Sequence, residues 1–346
     1  MRREFTLTLV ALALLALTAC SVETEVTPPN PSQGNEISFG SVSTRVDKAS
    51  EIKEFSVWAT VSSIGSTAVS YQPLLTNERV YRDPEDSNTW VYDNVQRWLP
   101  NSIFHFFAAY PYNIGFEQVR QELNGTLYTG YWLNVTADGS ADTEDILTAQ
   151  NVTNTNVEGY ATTVPLTFSH LLTKFNLTIS QNTDIDSEFE YYVTKVTITG
   201  LNGTGMYTVL PINETFYTGW DMEGATPMTL GKNYESAPVC LREPDGDGRK
   251  SKPLKVWGED GVMLIPHNIA ANGVMIRVDY FYDLNPDDSD LGQARYVEGY
   301  IPAIQWQSNT VINYNIAIAN SSFISFEQPT IEPWGAPQTG GTIIIK

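Results

Sequence analysis

Cysteine, histidine and positive charge are all scarce in this chain. Its 346 residues include two cysteines, Cys20 and Cys240, and three histidines, His105, His170 and His267. No Cys-x-x-Cys or His-x-x-x-His spacing occurs, so the patterns that hold a zinc ion are missing. Nor is there a Gly-x-Ser-x-Gly elbow, a P-loop or a dinucleotide fingerprint. Each histidine stands alone in a strand or turn pattern, which favours packing or capping over catalysis. Lys and Arg number 20 against 40 Asp and Glu, a net charge of −20. Such a surface repels phosphate backbones, so nucleic acid is not an expected partner. No catalytic residue, metal site or cofactor is expected.

What is present begins with a leader. Arg2 and Arg3 precede an unbroken run of apolar residues and Thr from Phe5 to Ala19. The run is shorter than the roughly 20 residues that span a bilayer, and residues 1–20 read as a signal peptide. Leu17-Thr18-Ala19-Cys20 resembles the lipobox of bacterial lipoproteins, implying cleavage before Cys20 and a lipid on its sulfur. With that sulfur occupied no intrachain disulfide can form, and Cys240 is expected as a small apolar filler. Residues 21–34 are a Pro- and Ser-rich acidic tether.

The chain as a whole has the composition of sheets and turns: 42% hydrophobic, 12% aromatic, with Thr, Asn, Ser, Tyr, Val and Ile plentiful. The chain is organised around Val164–Ile179. Val164, Leu166 and Phe168 alternate with polar or Pro positions, as do Phe175, Leu177 and Ile179. Each run predicts a half-buried strand. Between them Ser169 is placed to cap a single helical turn. Earlier strand signals are Ile37–Phe39 and Phe55–Val61, and Ile103–Ala109, apolar on both faces, predicts a central strand. Phe116, Val119 and Leu123 lie at helical spacing, predicting a short helix over 115–123, and Asp142 or Thr143 is placed to cap another turn. Later, Val274–Tyr282 and Tyr296–Ile301 predict a hairpin, and Ile312, Tyr314, Ile316 and Ile318 alternate again. The pattern implies two β domains, 46–180 and 181–334, followed by a Gly-rich linker and a tail over 335–346.

Two acidic loops test as cation sites and fail. Asp283-Leu284-Asn285-Pro286-Asp287-Asp288 has Asp288 where a calcium loop needs Gly, and Ala294 where it needs Glu. Glu243–Gly248 reads as a turn. Trp and Tyr side chains offer a sugar platform, but most sit in alternating strands and are explained as core.

The two ends of the chain are less ordinary. Arg45 follows a strand-like segment carrying Ile37 and Phe39, and Ile343, Ile344 and Ile345 sit in a tail that is an aggregation liability unless it is received somewhere. Cleavage after Arg45 would remove that leading strand and leave an apolar groove for another molecule's tail to fill by strand addition. Head-to-tail contacts that do not close form a filament.

Several segments, in this order, resemble the fimbrillin family of Bacteroidales, the lipoprotein-derived type V pilins. They include Ile37-Ser38-Phe39 with Thr44-Arg45, Phe55-Ser56-Val57-Trp58-Ala59, Trp98-Leu99-Pro100 and Phe106-Phe107-Ala108-Ala109-Tyr110-Pro111. Asp145-Ile146-Leu147-Thr148-Ala149, Phe168–Lys174, Leu264-Ile265-Pro266, Tyr314–Ile318 and Trp334 continue the match. The resemblance implies an all-β fold of two consecutive transthyretin-like β-sandwich domains with a few short helices. It also implies a precursor lipidated at Cys20 and held at the outer membrane, with export aided by Glu23 and Glu25. An Arg-specific protease would cut between Arg45 and Val46. Donor-strand exchange among fimbrial subunits would then use Ile343, Ile344 and Ile345 in place of Ile37 and Phe39. The product would be a cell-surface fimbria serving adhesion to host or bacterial surface ligands. This chain has His267 where the family usually has Gln, and Ser308-Asn309 where Gly is common. The rival readings are a glycan-binding lipoprotein that stays anchored and a lipid-anchored β-sandwich hydrolase.

Overall fold

The computed structural model describes residues 36–44, 52–64, 71–86, 89–123, 126–140, 143–157, 162–181, 190–245, 248–283, 292–319, 323–326 and 329–334. Cys20, Arg45, Val46 and the tail with Ile343, Ile344 and Ile345 lie outside the described residues. So does most of the acidic loop after Asp283. Among the described residues the regular structure is all strand.

The chain opens with β1 (Ser38–Thr44), β2 (Glu54–Ser63), β3 (Gln72–Arg82), β4 (Trp90–Val91) and β5 (Ser102–Tyr110). It continues through β6 (Glu117–Leu123), β7 (Thr126–Thr136), β8 (Leu147–Asn154) and β9 (Thr163–His170). Seven of these, in the order β1-β4-β3-β2-β5-β8-β9, close into a barrel. The alternating residues of β9, Val164, Leu166 and Phe168, fill its interior with Phe55, Val57, Phe104 and Phe106. β5 lies between β2 and β8, the central place its doubly apolar sequence predicts. Its other face, with Phe107 and Ala109, joins Trp58 of β2 in a separate core outside the barrel.

Next come β10 (Thr173–Gln181), β11 (Glu190–Asn202), β12 (Thr204–Ile212), β13 (Thr215–Asp221) and β14 (Pro227–Asn233). β12 and β13 extend β7 and β6 into the antiparallel sheet β13-β12-β7-β6. Tyr131, Leu133, Tyr207 and Val209 on one face of that sheet share the core of Trp58 and Phe107. Short strands follow: β15 (Val239–Cys240), β16 (Arg242–Asp245), β17 (Gly248–Ser251), β18 (Leu254–Lys255), β19 (Val262–Leu264) and β20 (Asn268–Ile269). β16 and β17 pair antiparallel, so Glu243, Pro244, Asp245 and Gly248 of the expected turn lie in strand, and residues 246–247 lie outside the described residues. The last described strands are β21 (Met275–Asp283), β22 (Gln293–Tyr300), β23 (Ile304–Gln305), β24 (Thr310–Ala319), β25 (Phe323–Phe326) and β26 (Thr330–Pro333). β21 and β22 pair antiparallel as expected. One sheet is built on β10 and β24, which run parallel, and another has the order β14-β11-β21-β22. Phe175, Leu177, Val196, Ile198, Ile276, Val278, Ile312 and Ile316 share the core between them.

Helices expected from local pattern are replaced by strand. Residues 117–123 form β6, paired residue for residue with β7. Pairing with a committed neighbour overrides the helical spacing of Phe116, Val119 and Leu123. Ser169 caps no helical turn, because β9 runs to His170 and β10 resumes at Thr173. The two residues between, Leu171 and Leu172, are buried in the core around Trp58, which leaves room only for a bend. Asp142 lies outside the described residues, and residues 143–146 form no helical turn before β8.

The boundary expected after Ser180 meets residues 182–189, which lie outside the described set. On its N-terminal side, β10 gives Phe175, Leu177 and Ile179 to the core of β11 and β21. On its C-terminal side, β12 and β13 join the sheet begun by β6 and β7.

Candidate functional site: the strand that closes the barrel

β1 is held at both edges, and mainly at one. It pairs in parallel with β9 through Ser38↔Thr163, Phe39↔Val164, Gly40↔Pro165, Ser43↔Thr167 and Thr44↔Phe168, with a register shift between Gly40 and Ser43. Its antiparallel pairing with β4 is Phe39↔Trp90 alone. β9 needs this neighbour, since its pairing with β8 is confined to Ser169 and His170.

Ile37 and Phe39, the two candidate displaced residues, are 2% and 4% exposed and belong to the barrel core. The Phe39 ring meets Tyr92 edge-on at 5.2 Å and Phe106 at 6.0 Å. Ile37 N–H donates to Gln96 O at 2.8 Å, and Tyr92 Oη donates to Ile37 O at 2.8 Å. Rim contacts are weaker: Glu36 faces Arg97 at 3.6 Å with both side chains largely exposed, and Ser38 Oγ lies 2.9 Å from Thr163 Oγ1. Gly40 permits close approach to β9, since a Cβ there would fall 2.4 Å from Thr163 Cγ2. Arg45 and Val46 follow directly after the last residue of β1 and lie outside the described residues.

The three histidines occupy three structural roles. His105 is buried, neither ring nitrogen meets a partner at hydrogen-bond geometry among the described residues, and burial pushes its pKa down to about 4. His267 accepts Asn202 N–H at Nε2 and faces Ile265 O through Nδ1, so it bridges two backbone segments, and burial lowers its pKa. His170 Nδ1 is 2.7 Å from Asp145 Oδ1, and its ring stacks on Trp334 at 3.6 Å and 8°. Asn309 ties the same corner. Its Oδ1 accepts His170 N–H and its O accepts Trp334 N–H at 2.9 Å. Asn309 adopts φ +60°, the left-handed turn for which Gly would otherwise be needed. Among the described residues no group of three or more His, Cys, Asp or Glu side chains is arranged to hold a metal ion.

Layered antiparallel and mixed sheets, with a barrel that an N-terminal strand closes, define the class of β protein to which the described residues belong. The chain belongs to the fimbrillin-like family, whose model matches residues 44–334. It is thereby a fimbrial protein of the cell surface. A fimbrial protein from Bacteroides vulgatus has a similar fold, with TM-score 0.60 and 16% identity over 86% of this chain and 99% of that one. A protein provisionally assigned to cell adhesion from Bacteroides ovatus aligns with TM-score 0.44 and 16% identity, over 88% and 98% of the two chains. The C-terminally truncated tip fimbrial protein Mfa3 from Porphyromonas gingivalis aligns with TM-score 0.37 and 11% identity, over 86% and 100%. No curated protein matches the chain.

Proposed function

We propose that this protein is a polymerising subunit of a surface fimbria, matured by removal of β1. In this reading it leaves the cell as an outer-membrane lipoprotein anchored through Cys20. An Arg-specific protease then cuts between Arg45 and Val46. The segment carrying Ile343, Ile344 and Ile345 from another subunit enters the place of Ile37 and Phe39. The supporting observation is that the strand just before Arg45 closes the barrel and buries both of those side chains. Its loss exposes Val164, Leu166 and Phe168 of β9 along an edge with few other hydrogen bonds. Each large aliphatic side chain that refills the groove contributes roughly 1.5–3 kcal/mol, and each ladder hydrogen bond about 0.5–1.5 kcal/mol net. A short donor therefore suffices for a durable joint.

The test is a pair of variants of the full chain, each incubated with an Arg-specific protease. Deletion of residues 341–346 is expected to leave a folded, soluble monomer that forms no filaments. Arg45→Ala is expected to block both cleavage and assembly. Normal filaments from either variant would contradict the proposal.

A further inference from the structure

The sheet β13-β12-β7-β6 has a second face that the barrel does not cover. Tyr131, Leu133, Tyr207 and Val209 point into the core, so strand alternation turns Trp132, Thr208 and Gly219 outward. These three form one row across the sheet, continued by Glu117, through the registers Gly219↔Thr208, Thr208↔Trp132 and Trp132↔Glu117. Tyr217 lies two residues from Gly219 on the edge strand. A Cβ at Gly219 would rest in ordinary van der Waals contact with its ring, with Oη at 3.6 Å, so the ring lies back along the strand over Gly219. The ring nevertheless remains 59% exposed. Trp132 is fixed from the other side, its indole N–H donating to Glu117 Oε2 at 3.1 Å. Around the two rings is a depression of about 470 Å³, lined also by Gln121, Met206, Thr208 and Asp221.

We propose that this depression binds a neutral carbohydrate, with a sugar ring lying on Tyr217 and Trp132. Sugars present an apolar C–H face and a rim of hydroxyls, and a site for them needs a flat aromatic surface beside hydrogen-bonding groups. The two rings supply the surface, and the Gln121 amide and Asp221 carboxylate supply donors and acceptors for hydroxyls. Glu117 and Asp221 outnumber Arg120 at the site, and the whole chain carries −20, so an anionic ligand is disfavoured. The exposed Asn134 and Glu117 break up the apolar area, against the dry centre of a protein interface. The site lies apart from β1 and does not depend on how subunits join.

The test titrates the full chain from Ser21 onward, as monomer, with neutral hexose and N-acetylhexosamine oligosaccharides. Binding is followed by indole fluorescence and calorimetry. At least one neutral oligosaccharide should bind at millimolar concentration or below. Tyr217→Ala should weaken it by about tenfold or more, because the stacking surface is lost, while Tyr217→Phe should stay within about twofold. Gly219→Val should also weaken binding, by displacing the ring. Matching circular dichroism and melting temperatures show that each variant is folded. The proposal is overturned if no neutral oligosaccharide binds, if Tyr217→Ala binds as the unaltered chain does, or if only sialylated or sulfated glycans bind. Tyr217→Ala should leave filament formation intact, so failure of this site and failure of donor-strand assembly are read separately.

Discussion

His105 shows what a buried polar side chain costs when it gains nothing in return. It projects from β5 between the rings of Tyr71 and Phe216, at 5.5 and 5.4 Å. Tyr71 Oη accepts Asn213 N–H instead of serving the imidazole. Desolvation lowers the folded-state pKa to about 4, against an opposing effect from the backbone at Asn213. The unfolded chain binds this proton near the ordinary histidine value, so it is the more protonated state between the two pKa values. The stability this group contributes is therefore complete above about pH 6.5 and is lost as pH falls toward about 4. His105→Phe keeps both ring contacts and removes the titration. Urea melts at about pH 7.5 and pH 4.5 should show its acid loss smaller than the parent's by about 2–3 kcal/mol. An unchanged difference would place the acid sensitivity elsewhere. The sequence suggested packing for this residue, and two aromatic neighbours far away in the chain explain why their identity was not visible there.

Among elements, alternation was the most legible signal. Val164, Leu166, Phe168, Phe175, Leu177 and Ile179 are all buried on the face the pattern assigns. The core position of Ile37 and Phe39 was equally readable. Apart from the hairpin of β21 and β22, what no local pattern contained was the partner of each strand. β1 joins β9, and β10 joins β24, each across more than a hundred residues and both in parallel. Such registers follow from long-range packing rather than from short-range spacing. The same limit accounts for β6, whose sequence Glu117-Gln118-Val119-Arg120-Gln121-Glu122-Leu123 suits a helix until β7 offers its edge. The closing strand also has a separable energetic role. Phe39→Ala should destabilise the uncut chain by roughly 3–5 kcal/mol, as large core truncations do. Filaments formed after cleavage should melt as the parent's do, because the altered residue is no longer present. Equal destabilisation of both forms would mean that β1 is retained.

For the whole molecule, the sheets bind early and late parts of the chain into shared cores. β12 and β13 pair with β7 and β6, while the corner of His170, Asp145, Asn309 and Trp334 ties the middle of the chain to its last described strand. The body therefore has its own cores in which β1 takes no part, around Trp58 and around Phe175. On the proposed reading, loss of β1 would open the barrel and leave those cores packed, as a subunit awaiting a neighbour's strand requires. The most direct measurement is an intact mass, with N-terminal sequence, of the protein taken from assembled surface material. A chain beginning at Val46 and lacking lipid is the expected result. A chain beginning at an acylated Cys20, with β1 still attached, would contradict the account.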